Sequence, residues 1–270
     1  QVLEDQKLLS RTHDGAVAVD VAYELPVRYR VGHHRAEKSL VAQLAAKLLP
    51  RGPLTLGLTG GTTTHILARL LAERLDLTVV TNALNIAAEL ALRPRLKLIM
   101  TGGVSRTQSY ELVGPIADRA LAGLNIELAV VGVDGISARG GLTTHDDIEA
   151  HTNATMIHRA DRVMVVADGS KVGRNCLARI CPITDVTTLV TDDSADSDGL
   201  DAIATTPPAS ASNAAPAPAP GWGAGIADPG VHRPARGHPG RRRGRHAEAA
   251  AAVRHRRRRA TGRGRHRHGA

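Results

Sequence analysis

Apolar side chains between residues 37 and 49 fall at Leu40, Val41, Leu44, Ala45, Leu48 and Leu49, the spacing of one helical face. The pattern then changes. Near-continuous apolar runs of strand length recur at residues 54–58, 77–81, 96–100, 127–133, 162–167 and 188–191, and helical patterns separate them at 63–74, 83–92, 116–122 and 146–159. Strands that read as unbroken hydrophobic runs are buried on both faces, so their alternation with helices predicts an α/β fold, a mostly parallel sheet with helices on both faces. Ligands of such sheets bind outside the carboxyl ends of the strands, and the turns there are the places to look for chemistry.

The first turn, Thr59-Gly60-Gly61-Thr62-Thr63-Thr64, joins a strand to a helix. Glycines let a ligand approach the backbone, threonines offer hydroxyls, and a helix start supplies unpaired N–H groups with partial positive charge. Together they suit a phosphate, although a plain turn with a threonine cap has the same sequence. It is neither a P-loop, since Gly-Lys-Ser/Thr is absent, nor a dinucleotide fingerprint. Thr81-Asn82 and Gly102-Gly103 close two further runs at the same sheet edge. Val133-Asp134-Gly135-Ile136 follows an apolar strand, which aims Asp134 into the crevice. Asp146, Asp147 and Glu149 open the next helix, where acids also suit the helix dipole. Asp168-Gly169-Ser170-Lys171 puts a cation at a strand end, where an anionic ligand would meet it.

No metal is expected. His145 and Glu149 share a helical face, but His151, six residues on from His145, turns away from it. Cys176 and Cys181 are too few for a disulfide framework or a four-ligand zinc site and read as small hydrophobes.

Charge redraws the chain at its end. Residues 207–270 hold fourteen Arg against one Asp and one Glu, a net +12, which leaves residues 1–206 at −3 of the formal +9. The basic balance belongs to the tail and gives the folded part no bulk attraction for nucleic acid. Its Ala/Pro alternation followed by Arg, Gly and His cannot bury enough apolar surface to offset chain entropy. Residues 204–270 are thus expected to be a disordered tail, either merely solvated, an out-of-frame extension or an arginine-rich nucleic-acid arm. Trp222, Tyr23, Tyr29 and Tyr110 are the only aromatic residues, too few for a single-strand stacking platform. Without a membrane-length apolar run or a signal pattern, the expectation is a soluble cytoplasmic protein.

Taken in order, the turns resemble the effector-binding domain of DeoR-type bacterial transcriptional regulators. The matching stretches are Gly61-Thr62-Thr63-Thr64, Thr78-Val79-Val80-Thr81-Asn82, Gly102-Gly103, Leu112-Val113-Gly114-Pro115, Gly132-Val133-Asp134-Gly135-Ile136-Ser137, Gly141-Leu142-Thr143-Thr144, Glu149-Ala150, Met156-Ile157 and Asp168-Gly169-Ser170-Lys171, across residues 37–192. The resemblance implies a Rossmann-like sensor similar to ribose-5-phosphate isomerase, and a phosphorylated sugar or polyol as effector. It implies no cofactor, and a repressor of carbohydrate metabolism that acts as a homo-oligomer on operator DNA. The effector residues it implies are Gly60, Gly61, Thr62, Thr63, Thr64, Thr81, Asn82, Gly102, Gly103, Asp134, Gly135, Glu149 and Lys171. Residues 8–13 resemble the end of a winged helix-turn-helix, which makes Arg11 and His13 DNA-binding residues of a wing.

The expected division is a remnant of that domain at 1–16, the sensor at 17–203 and the tail at 204–270. Three departures from the family pattern stand out. Thr59 replaces an Asp that would contact sugar hydroxyls, Val104 replaces a longer or acidic residue, and Gly169 replaces a Ser. Asp134-Gly135 runs into Ile136-Ser137-Ala138, without the further carboxylates of the isomerases, so the expectation is a regulator and not an enzyme. A catalytic phosphosugar isomerase and a truncated, non-regulatory remnant are the alternatives.

Overall fold

The computed structural model describes residues 24–206 in full and the backbone of residues 9–12 and 15–18. β1 (Leu9–Thr12) and β2 (Gly15–Ala18) form an antiparallel hairpin with Thr12 opposite Gly15. β2 thus runs across the expected boundary at residues 16 and 17. Of the tail expected at 204–270, residue 204 instead ends the last helix and residues 205 and 206 follow it, while 207–270 lie outside the described residues, as does His13; Arg11 is described by its backbone alone.

A short helix α1 (Val27–Arg30) leads into α2 (Arg35–Leu48). Then come β3 (Leu54–Leu58), α3 (Thr62–Leu71), β4 (Leu77–Thr81), α4 (Leu84–Leu90) and β5 (Lys97–Met100). A small antiparallel pair follows, β6 (Val104–Arg106) with β7 (Glu111–Val113), and then α5 (Pro115–Ala122) and β8 (Ile126–Val131). The chain continues through β9 (Gly135–Ser137), β10 (Gly141–Thr144), α6 (Asp147–His158), β11 (Ala160–Val166), β12 (Ala178–Cys181), β13 (Thr188–Val190) and α7 (Ser197–Ala204).

The main sheet is parallel, in the order β13-β11-β8-β3-β4-β5. Both faces are covered, as expected. In β8, Leu128 and Val130 join a core with α2, α3 and α4, while Ala129 and Val131 face Leu121 of α5 and Met156 and Ile157 of α6. β11 divides in the same way, with Met164 and Val166 on one side and Val163 and Val165 on the other. This two-sided burial makes the runs read as continuous.

Two details differ from the sequence pattern. α2 buries Lys38, Val41, Ala42 and Ala45, and Leu49 just after it is buried too, whereas Leu40 and Leu48 are exposed. The small Ala42 and Ala45 let α2 press against α3, and the leucines on the flank are left over. Residues 141–144, grouped above with the turns, are instead β10, the middle strand of a three-stranded antiparallel sheet β12-β10-β9. That sheet rests on α6 and carries Thr144 to the carboxyl edge of the main sheet.

Candidate functional site

The chain runs outward from β3 through β4 to β5, then returns to the other side of β3 as β8. Connections therefore leave β3 and β8 in opposite directions, and a crevice opens between their carboxyl ends. The two ends are tied tightly. Gly132 N donates to Thr59 Oγ1 at 3.0 Å, and a methyl group at Gly132 would lie 2.8 Å from Gly60 O. The hydroxyl of Thr59 is thus fully buried in a strand-to-strand bond and not directed at a ligand.

Gly61 holds φ 129°, a conformation that favours glycine, and starts α3 without a side-chain cap. The helix's own bonding begins with His65 N to Gly61 O at 3.1 Å, so the N–H groups of the turn before it have no intrahelical acceptor. They open on a cavity of about 50 Å³ that is continuous with solvent. Around it stand Lys38 from α2, Arg30 from α1, Asp134 after β8, Thr144 from β10, Glu149 from α6, Glu111 from β7, and Asp168 and Lys171 after β11.

Seven of the expected effector residues line this crevice: Gly60, Gly61, Thr62, Thr63, Asp134, Glu149 and Lys171. The others stand behind it. Thr64 Oγ1 donates to Gly61 O at 3.0 Å and Thr81 Oγ1 to Leu58 O at 2.7 Å, both fully buried. Asn82 Nδ2 holds Glu111 Oε2 at 3.1 Å and Asn153 Oδ1 at 3.2 Å. Gly102 and Gly103 pack against Ile116 and Val113, and Gly135 lies within β9 against Thr143. These residues shape the wall.

Asp134 accepts from Arg30 Nη1 at 2.7 Å and lies 3.7 Å from Lys171 Nζ. Burial pushes its carboxyl upward, but Arg30 and Lys171 outweigh that and hold it below the usual carboxylate range. Thr144 Oγ1 is 3.0 Å from Asp134 Oδ2 and 2.7 Å from Glu149 Oε1. With one proton to give, it donates to one of them at a time. Glu149 also accepts from Arg106 Nη1 at 2.9 Å, and burial pushes its carboxyl upward. Arg106 additionally reaches Asp146 at 3.0 Å and makes a close ion pair with Glu24. Lys38 Nζ donates to the carbonyls of Arg30 (2.9 Å) and His33 (2.6 Å), and burial draws its ammonium below the usual lysine value.

Glu111 is deeply buried beside Gly60, and burial reinforced by Glu149 raises its carboxyl well above the usual value. Above an ordinary carboxylate's pKa and up to this raised one, folded protein keeps a proton that the unfolded chain has released. Stability therefore falls as pH rises through that window. Glu111→Gln is expected to flatten this slope and to raise the melting temperature progressively from pH 5 to pH 8 relative to wild type. Parallel melting curves for the two proteins would contradict a protonated Glu111.

The histidines do not converge. His145 lies 3.8 Å from Cys176 Sγ, and His151 is exposed beside Asp118. Among the described residues no three metal-binding side chains are grouped. Burial pushes the thiol of Cys181 up to about 12, in keeping with a packed, unreactive side chain.

Arg30, Lys38 and Glu111 escaped the sequence reading, and Thr144 and Asp168, though within matched stretches, were not among the expected effector residues. Lys38 left a signal: it occupies the first position of the buried stripe Lys38-Val41-Ala42-Ala45, and a lysine on an apolar face has a reason to be there.

Residues 33–193 match the family described as the DeoR C terminal sensor domain. The chain belongs to the DeoR family. This DeoR-type regulator is 32% identical over 204 residues to the putative aga operon transcriptional repressor of Escherichia coli O157:H7, covering 74% of this chain and 76% of that one. It is 33% identical to the transcriptional repressor AccR of Agrobacterium fabrum (70% and 74%) and 30% identical to the glycerol-3-phosphate regulon repressor of Escherichia coli K12 (70% and 75%). Ribose 5-phosphate isomerase A of Methanocaldococcus jannaschii superposes with a TM-score of 0.39 at 17% identity, over 53% of this chain and 55% of that one, too remote to bear on function. Among the described residues no helix is long and apolar enough to cross a membrane.

Proposed function

We propose that this DeoR-type regulator senses a phosphorylated sugar or polyol in the crevice and, as a homo-oligomer on operator DNA, represses genes of carbohydrate metabolism accordingly. The observation that carries the effector class is the meeting of the uncapped start of α3 at Gly61–Thr63 with Lys38 and Lys171. A helix start binds oxyanions through unpaired N–H groups, and two ammonium groups add charge without demanding one geometry. Asp134 and Glu149 face the same space and suit sugar hydroxyls as hydrogen-bond acceptors. The names of two relatives, an aga operon repressor and a glycerol-3-phosphate regulon repressor, agree with this reading.

Turnover is not expected. A general base works best with a pKa near the operating pH and a free acceptor; Asp134 is held low by Arg30 and Lys171, while the two carboxyls that burial raises are engaged, Glu111 by Asn82 and Glu149 by Thr144 and Arg106. The test is thermal unfolding with a panel of phosphorylated sugars and polyols beside their unphosphorylated parents. A cognate ligand at about 100 times its Kd stabilises by about 2.7 kcal/mol, or about 5–11 °C for a domain of this size. Equal shifts from parent and phosphate ester would overturn the phosphate assignment, and ribose 5-phosphate isomerisation lost in Asp134→Asn would overturn the regulator reading.

A further inference from the structure

Lys38 serves the crevice and the chain before it at once. It is buried, stands in the crevice wall with Gly60–Thr63, and bonds to the backbone of the preceding segment. An ammonium has three N–H bonds. Two of them go to Arg30 O at 2.9 Å and His33 O at 2.6 Å, which pins the end of α1 and the turn that follows it. One is left for the crevice. From the pinned segment Arg30 also lines the crevice, where its Nη1 meets Asp134 at 2.7 Å.

Residues 24–34 bury little. Among them only Val27 is buried, and residues 31–34 are exposed. Further ties to the sensor include the ion pair of Glu24 with Arg106 and the bond from Val27 N to Gln108 O at 2.7 Å. Segments with little buried apolar surface open at low free energy. Opening this one changes the crevice in two ways. Asp134 loses Arg30 and is left with Lys171, the ammonium that a phosphate needs as well. Lys38 loses both carbonyls that fix its ammonium beside the start of α3. The seated form therefore takes a phosphate better than the open one, and a ligand shifts such an equilibrium by its difference in affinity for the two forms.

We propose that effector binding and the seating of residues 24–34 are coupled through Lys38 and Arg30: a phosphate in the crevice holds the segment down, and its release lets the segment open. Lys38 touches both the phosphate and the segment. Arg30 is a positioning residue, which acts by masking Asp134 and not by binding the effector. This rests on the effector reading above and adds how the site reports its occupancy. Residues 24–32 precede the matched sensor region and lie in sequence between the hairpin β1–β2 and α2, so the crevice acts on the chain leading into the sensor.

The test is hydrogen exchange of the full chain with and without saturating inorganic phosphate, glycerol 3-phosphate or ribose 5-phosphate, whichever binds most tightly by calorimetry. Bound probe should slow exchange at residues 61–64 and, about tenfold, at 24–34. α7, which contributes nothing to the crevice wall, should keep its rate. Bound probe that leaves 24–34 unchanged or faster in the wild-type protein overturns the proposal, and this readout depends on no variant. In Lys38→Met, saturating probe should no longer slow 24–34; slowing as large as in wild type would mean that Lys38 does not carry the coupling. Arg30→Met should weaken probe binding about tenfold, and in an Asp134→Asn background it should cost almost nothing, because the charge to be masked is gone. An equal cost in both backgrounds would make Arg30 a direct ligand and defeat its positioning role. If no phosphorylated probe binds, the effector reading fails and the coupling with it; binding that leaves 24–34 unaffected defeats the coupling alone.

Discussion

Arg106→Met is expected to destabilise the protein by about 3–5 kcal/mol, lowering the melting temperature by about 10 °C at pH 7.5. The guanidinium stands among Glu24, Asp146 and Glu149, and its side chain is only 15% exposed. Methionine fills much of the same volume but takes the shared cation from all three acids, leaving Glu24 with Arg30 alone. Their folded-state pKa values rise in the variant, so the deficit grows as pH rises and shrinks towards pH 5. Arg106→Lys should recover only part of the loss, because one ammonium point charge cannot reproduce the contacts of a planar fork. Denaturant melts at pH 7.5 and 5.5 provide the measurement. A deficit that does not change with pH would mean that the aliphatic stem, and not the charge, matters at this position.

Gly132→Ala is expected to disable the crevice by a different route. Its methyl group would fall 2.8 Å from Gly60 O, a backbone atom of the turn that starts α3. Neither strand end can yield without shifting the other, since Thr59 and Gly132 are bonded to each other. A shift there misaligns the N–H groups at Gly61 and costs one or two charge-assisted hydrogen bonds, about a hundredfold in phosphosugar affinity. The stability loss from overpacking is smaller, about 1–3 kcal/mol. Gly123→Ala supplies the control, since nothing lies within 4 Å of the added methyl and φ is −86°. It should bind as wild type and melt within about a degree or two of it. Wild-type affinity in Gly132→Ala would show that the ligand does not use the turn at Gly61.

The strands of the main sheet were legible because burial on both faces writes itself as an unbroken apolar run, as in Leu128-Ala129-Val130-Val131. The turns were legible for a related reason, since Gly60-Gly61 and Asp134-Gly135 interrupt those runs abruptly. What stayed hidden was the second layer of the site. Strands β6, β7, β9, β10 and β12 are three or four residues long, too short for a period to emerge. Arg30 meets Asp134 across 104 residues and Arg106 meets Glu149 across 43, and no local pattern records such pairings. Glu111 illustrates the limit: a charged residue in a short strand reads as a surface position, yet here it is sealed behind Gly60. The Arg30–Asp134 and Arg106–Glu24 pairs were invisible because they bind a preceding segment to the sensor and belong to no turn.

The order of strands also has a consequence for biosynthesis. Thr59 and Gly132 are 73 residues apart, and β3 pairs with β4 on one side but must wait for β8 on the other. At about 5–20 residues per second, a ribosome takes about 4–15 s to cover that distance. Throughout that time the emerging half-sheet presents β3 as a bare edge, whose unpaired backbone groups are a template for pairing with another chain. The seam between β3 and β8 therefore closes only after β8 has emerged, and crowded polysomes or slowed translation across residues 82–131 should increase aggregation of the nascent protein before any effector has a site to bind.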